Sequence, residues 1–224
     1  TGLVKSVFKR YASDVDASTT VVGPLADQHR QFGLDPQVIR NIPKPPEERV
    51  IFHPTQPKKI QLMHHGIASP TRESDLMIRT LALADDRYEL HLIFLNNNSS
   101  YVNRLKKLAN HIAPGRVYFH PPLRPNNIVK GISTFDVGFF PLPSKSFNYK
   151  IALPNKLFEF IAAGLAVYIG PSPIMAQVVN DHQCGIVAPS FFPKDLAKIL
   201  NQTSPESWDK MKKAIELDDQ ITKT

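Results

Sequence analysis

The chain has a single cysteine, Cys184, so no internal disulfide is available and the core must hold the fold. That usage fits a reducing compartment. Cys184 precedes Gly185 in an apolar run and reads as buried rather than reactive. No run of about 18 apolar residues occurs, so the sequence offers no membrane-spanning helix. The opening residues, TGLVKSVFKRYASD, lack a signal-peptide core and an initiator Met, as an excised piece or a chain carrying a tag remnant would. The N-x-[ST] matches at Asn97, Asn98 and Asn201 carry no weight without a secretion signal. A P-loop, a zinc-ligand spacing and an RNA-binding aromatic pattern are all missing, so metal and nucleic acid are not expected partners.

What is present is a globular composition, 42% hydrophobic and 21% charged, with length enough for a sizeable core. The net charge of +7 favours anionic partners such as phosphates or lipid headgroups. Basic groups such as Arg104, Lys106 and Lys107, or Lys210, Lys212 and Lys213, fall in expected helices, where a solvated face is the plain reading.

The first 57 residues differ from the rest. Residues 3–12 read as an amphipathic helix carrying Leu3, Val7, Phe8 and Tyr11, followed by a strand at 19–22, a helix at 24–33 and a strand at 37–41. IPKPPEERVIFHPTQPKK, with five prolines, reads as a linker. From residue 59 strand and helix alternate regularly. Strands are expected at 59–65, 88–95, 116–120, 135–142, 165–170 and near CGIVA. Helices are expected at 72–84, 100–112, 126–133, 154–164, 173–180, 193–201 and 206–220. This order predicts a Rossmann-like, doubly wound parallel sheet, which binds ligands at the carboxyl ends of its strands.

The stretch ALPNKLFEFIAAG is the most informative. Pro154 suits a first helical turn and Gly164 a helix end. The helix starts beyond a strand's carboxyl end, so its free N–H groups and Lys156 would attract an anion. Glu159, three residues on, offers a carboxylate that can accept from two vicinal hydroxyls. Lysine for phosphate and glutamate for a sugar diol describe a nucleotide or nucleotide-sugar site. The alternative is an ordinary i,i+3 surface pair. Asp14 and Asp16 match a DxD metal motif but sit before a short strand, as a chance match would. His64 and His65 are neighbours in a strand, so they point to opposite faces and do not share a metal. One of them lines the cleft, or both are ordinary polar residues.

LPNKLFEFIAAGLAVYIG closely resembles a segment of GT-B-fold, group-1 glycosyltransferases. LMHHGIASPTR resembles that family's first donor-domain strand and turn. RVYFHPPL and ISTFDVGFFPL resemble later strands, and VVGPLADQHRQFGLDPQVIRNIP the end of the N-terminal domain. The resemblance implies a division into 1–41, the tail of an acceptor domain, 42–57, a linker, 58–203, a nucleotide-sugar donor domain, and 204–224, a crossover helix. It implies that Arg72 and Lys156 bind the donor diphosphate and that Glu159 binds the ribose. Gly66 and His65 would form the donor loop, and the turn from His120 to Leu123 would lie beside the base. Two departures stand out. Ile151 replaces a second glutamate found in retaining members, and Ala166 replaces a common proline.

The activity implied is metal-independent, cofactor-free transfer from a nucleotide-sugar to a glycan or lipid-linked acceptor. A facing N-terminal domain would complete the enzyme. The implied setting is cytoplasmic, with a membrane-peripheral association also consistent. A non-catalytic nucleotide-binding module and a sugar-nucleotide epimerase of the same fold stand as alternatives.

Overall fold

The computed structural model describes residues 2–43 and 52–218. Residues 44–51 of the proline-rich linker therefore lie outside the described residues, as does the end of the last expected helix. The chain opens with helix α1 (Gly2–Tyr11), strand β1 (Thr19–Thr20), helix α2 (Gly23–Arg30) and strand β2 (Gln37–Val38). β1 and β2 pair in parallel as a separate two-stranded sheet. The strand expected at 19–22 stops at Thr20 because α2 starts at Gly23. On α1, Leu3, Val7 and Tyr11 are exposed, while Phe8 stacks on His29 and Phe32, so its apolar face is covered only in part.

The main body alternates strand and helix: β3 (Ile60–Gly66), α3 (Asp75–Leu83), β4 (Tyr88–Phe94), α4 (Ser100–Ile112), β5 (Val117–His120), α5 (Ile128–Ile132), β6 (Val137–Phe140) and α6 (Phe147–Lys150). It continues with α7 (Asn155–Ala162), β7 (Ala166–Ile169), α8 (Pro173–Asp181), β8 (Gly185–Val187), α9 (Pro193–Gln202) and α10 (Pro205–Leu217). The six strands form one parallel sheet in the order β5-β4-β3-β6-β7-β8, a Rossmann-like doubly wound arrangement.

Alternation along the strands divides the core. Leu62, Leu90, Leu92 and Phe139 face α3, α4 and α9. Met63, Ile93, Phe140 and Val167 face α5, α7 and α8. Both faces are covered, which is why the strands read as near-continuous apolar runs. At Gly138 a Cβ would lie 2.3 Å from the Phe160 ring, so glycine there lets α7 seat directly on β6.

Three local features differ from the sequence expectation. The helix expected from residue 72 is broken. Pro70–Arg72 form a 3-10 turn capped by Ser69, whose Oγ accepts from the Arg72 N–H at 3.3 Å. Glu73 then adopts a left-handed φ of 49°, and α3 starts only at Asp75. The short α6 was not foreseen. Ser146 caps it by accepting from the Tyr149 N–H at 3.2 Å. Pro154 caps α7 in an extended conformation instead of occupying its first turn.

A buried polar network ties the far end of the sheet together. Lys212 on α10 donates to Asp136 Oδ1 at 3.1 Å and to Thr55 Oγ1 at 3.2 Å. Asp136 Oδ2 accepts from the Gln61 N–H at 2.9 Å, so α10, the start of β3 and the segment around Thr55 share one ion pair. Among the described residues no helix is long and apolar enough to cross a membrane.

Candidate functional site

The strand order reverses at β3. The chain runs outward from β3 through β4 to β5, then returns to place β6 on the other side of β3. The loops after β3 and β6 therefore diverge and leave a crevice at their carboxyl ends. Gly66 ends β3, Arg72 comes from the loop after it, and Lys156 and Glu159 come from α7, which follows β6.

Helix α7 begins as its sequence dictates. Leu157, Phe158, Phe160 and Ile161 are buried against the sheet, which fixes the rotation of the helix. Lys156 sits in its first turn and is 7% exposed. Its Nζ lies 3.1 Å from His64 Nε2 and 4.4 Å from the centre of the Phe140 ring, an attractive cation–π placement. The turn at Gly66 makes room for it. Gly66 has φ of +120°, and a Cβ there would lie 3.1 Å from Lys156 Nζ.

Lys156 forms no ion pair with Glu159, which corrects the reading of the two as a surface i,i+3 pair. Both side chains instead turn toward the end of β3, where His64 and His65 meet them. His65 Nε2 lies 3.3 Å from Glu159 Oε2, though not in hydrogen-bond alignment. Burial and then the Lys156 charge push the His65 pKa down to about 3, so this contact joins a neutral ring to a carboxylate. The His65 ring also packs edge-on against Phe160 at 5.3 Å. Neighbouring strand residues do diverge, with His64 against Phe94 and His65 against Phe160, yet at a strand end both reach α7.

The electrostatics favour an incoming anion. Burial, followed by repulsion from Arg72, lowers the Lys156 pKa to about 7, and Glu159 opposes the shift. Burial raises the Glu159 pKa, and Lys156 counters it. The Arg72 side chain makes no hydrogen bond or ion pair among the described residues. Two cations that repel each other across a crevice gain from a shared anion. Glu159 Oε1 has no partner among the described residues and remains free to accept.

The other residues singled out in the sequence lie elsewhere. His120 ends β5 at the sheet edge, where its Nε2 is 2.9 Å from His91 Nδ1 and its ring packs on Phe135. Leu123 packs over Gly131 of α5, where a Cβ would sit 2.6 Å from Leu123 Cδ1. Neither joins the Lys156 and Glu159 group. Asp14 closes a 3-10 turn and accepts from its neighbour Ser13. Among the described residues no three His, Cys, Asp or Glu side chains are grouped to hold a metal ion.

No family model matches the chain, and no curated protein sequence does either. Solved structures match its fold. An S. aureus TarM variant, in complex with fondaparinux, alpha-GlcNAc-glycerol and UDP, aligns with a TM-score of 0.73 at 14% identity, covering 96% of this chain and 43% of that one. Anabaena HepE, in complex with UDP and glucose, aligns with a TM-score of 0.72 at 15% identity, covering 96% and 62%. The C-terminal domain of a group-1 glycosyl transferase, LpcC from Francisella tularensis, aligns with a TM-score of 0.55 at 12% identity, covering 72% and 84%. The fold is that of a GT-B C-terminal half. Identities this low carry the GT-B fold and nothing finer. The chain spans 43% of TarM and 62% of HepE, less than two thirds of either.

Proposed function

We propose that this chain is the nucleotide-sugar-binding half of a glycosyltransferase. Arg72 and Lys156 would bind the donor diphosphate, and Glu159 would accept from the ribose hydroxyls through its free oxygen. The observation that carries the reading is the convergence of these three side chains with Gly66 at the point where the strand order reverses. TarM and HepE, which share the fold, were solved with UDP.

In this reading the two cations hold the diphosphate and stabilise the charge that grows on it as the sugar leaves. The α7 N-terminus, with its unpaired N–H groups, adds to that field. The sugar would pass to a glycan or lipid-linked acceptor held by a facing domain, because transfer needs both partners in one water-excluding cleft. The basic surface suits a setting on the cytoplasmic side of a membrane, where lipid-linked acceptors are presented.

Titration calorimetry with UDP, GDP and dTDP tests the proposal. At least one should bind, with equal affinity in EDTA. Absence of heat with all three at millimolar ligand would remove the donor-site reading.

A further inference from the structure

His64 lies toward the end of β3, the strand at which the sheet order reverses, where Ile60, Leu62, Met63 and His65 are also buried, and is only 4% exposed. A buried imidazole must account for both ring nitrogens. Nδ1 is 3.0 Å from the Phe139 carbonyl oxygen, and Nε2 is 3.1 Å from Lys156 Nζ. A carbonyl oxygen only accepts, so the proton belongs on Nδ1. Nε2 then presents a lone pair, and the lysine ammonium, which only donates, fills it. The two contacts select one neutral tautomer.

We infer that His64 is the positioning residue for Lys156, holding its ammonium at the Gly66 turn through a neutral acceptor so that its charge stays available to an external diphosphate. The identity of the anion rests on the donor-site reading above. A buried lysine is commonly matched by a carboxylate, which would cancel that charge. Here every direct support is neutral. The His64 lone pair and the Phe140 ring face Nζ, and Lys156 makes no ion pair among the described residues. The charged and titratable groups around the pair are Arg72 from the 3-10 turn, His65 from β3 and Glu159 from α7. The one acid among them, Glu159, sits against His65. The Phe139 carbonyl belongs to β6, so the contact also fixes α7 against the strand pair that forms the crevice.

The test uses the whole chain, labelled with 15N at histidine and 13C at lysine, and NMR. Wild type should show His64 protonated at Nδ1 and bare at Nε2. His64→Phe keeps a ring of similar size and removes the acceptor. The Lys156 titration midpoint should then fall below its wild-type value. UDP affinity should drop about tenfold or more, the scale of one charge-assisted hydrogen bond, while uridine affinity holds. His64→Gln supplies an amide oxygen near the Nε2 position and should recover part of both. A proton on Nε2, or a Lys156 midpoint unmoved in His64→Phe, would overturn the inference. If His64→Phe does not fold, the wild-type tautomer and His64→Gln decide. The lysine titration needs no ligand, so failure of the wild type to bind UDP counts against the donor-site reading while the titration still judges His64.

Discussion

At the residue scale, Lys156 has the conflicted position of a functional group. It is a cation in a 7%-exposed site, repelled by Arg72 and held without a counter-charge. Such an arrangement destabilises the empty fold and favours a bound anion. Two pH effects follow. In the folded chain the Lys156 pKa is about 7, against the ordinary 10.5. Between those values the unfolded chain binds the extra proton, so stability should rise with pH from about 7 toward 10. Melting temperatures at pH 7, 8 and 9 should show this rise in wild type and lose that component in Lys156→Met. Diphosphate affinity should run the other way. Above pH 7 the phosphates are already ionised and Lys156 is losing its proton, so affinity should fall by up to about tenfold per pH unit. Calorimetry at pH 8 in buffers of different ionisation heat should detect proton uptake on binding.

Glu159→Gln separates the second role. It keeps the side chain's shape but replaces a carboxylate acceptor with an amide. UDP binding should weaken by roughly 1.5–3 kcal/mol, whereas binding of pyrophosphate, which lacks ribose, should hold. Lys156 and Glu159 stood out in the sequence as a charged pair opening a helix after a strand, but spacing alone fitted an ordinary surface pair and their donor roles came from the resemblance. His64 and His65 were singled out as well, but the contacts they make with Lys156 and Glu159 were not legible. The pairing of Lys156 with His64 depends on three-dimensional proximity between α7 and β3, and the Phe139 carbonyl carries no side-chain signal at all. The one available hint for His64 was a polar residue inside the apolar run IQLMHHG.

At the element scale, one close approach shapes the site. Gly66 turns with φ of +120°, beside Lys156 Nζ. Gly66→Ala should cost about 1–3 kcal/mol of stability from backbone strain and also displace the ammonium, so that UDP binding weakens beyond the change in melting temperature. At the opposite end of the strands, Lys212 is buried on Asp136, with a side-chain exposure of 3%. Removing the acid by Asp136→Ala leaves that charge without its main partner and should cost about 3 kcal/mol in urea unfolding. The same change should leave UDP affinity intact in the folded fraction, because the network lies away from the crevice.

The strand and helix alternation from residue 59 onward was readable because covered parallel strands leave uniform apolar runs and amphipathic helices leave a 3.6-residue period. The short elements were not readable. Four residues of α6 are too few to show a period, and the break at Glu73 comes from a left-handed turn that no glycine announces. Resemblance assigned the turn at His120 to Leu123 a place beside the base, mostly through its backbone; its side chains pack onto His91 and Gly131.

At the scale of the whole molecule, the donor side of the proposed enzyme is an open six-stranded sheet covered on both faces, while α1 and the β1–β2 pair lie outside that sheet and carry exposed apolar residues. Apolar surface of that kind fits contact with a facing domain. Catalysis of transfer by this chain alone should therefore be slow, and addition of a facing acceptor domain should raise it strongly. Donor hydrolysis and sugar transfer, compared between the two forms, measure that difference.

Binding of a nucleoside diphosphate where the strand order reverses is the proposal on which the other predictions depend. It is tested most directly by mapping backbone amide shifts of the labelled chain during titration with UDP. Saturable changes should concentrate at Gly66, Arg72, Lys156 and Glu159, with the Lys212 network little affected. Changes centred on α1 or α10, or no saturable change at all, would contradict it.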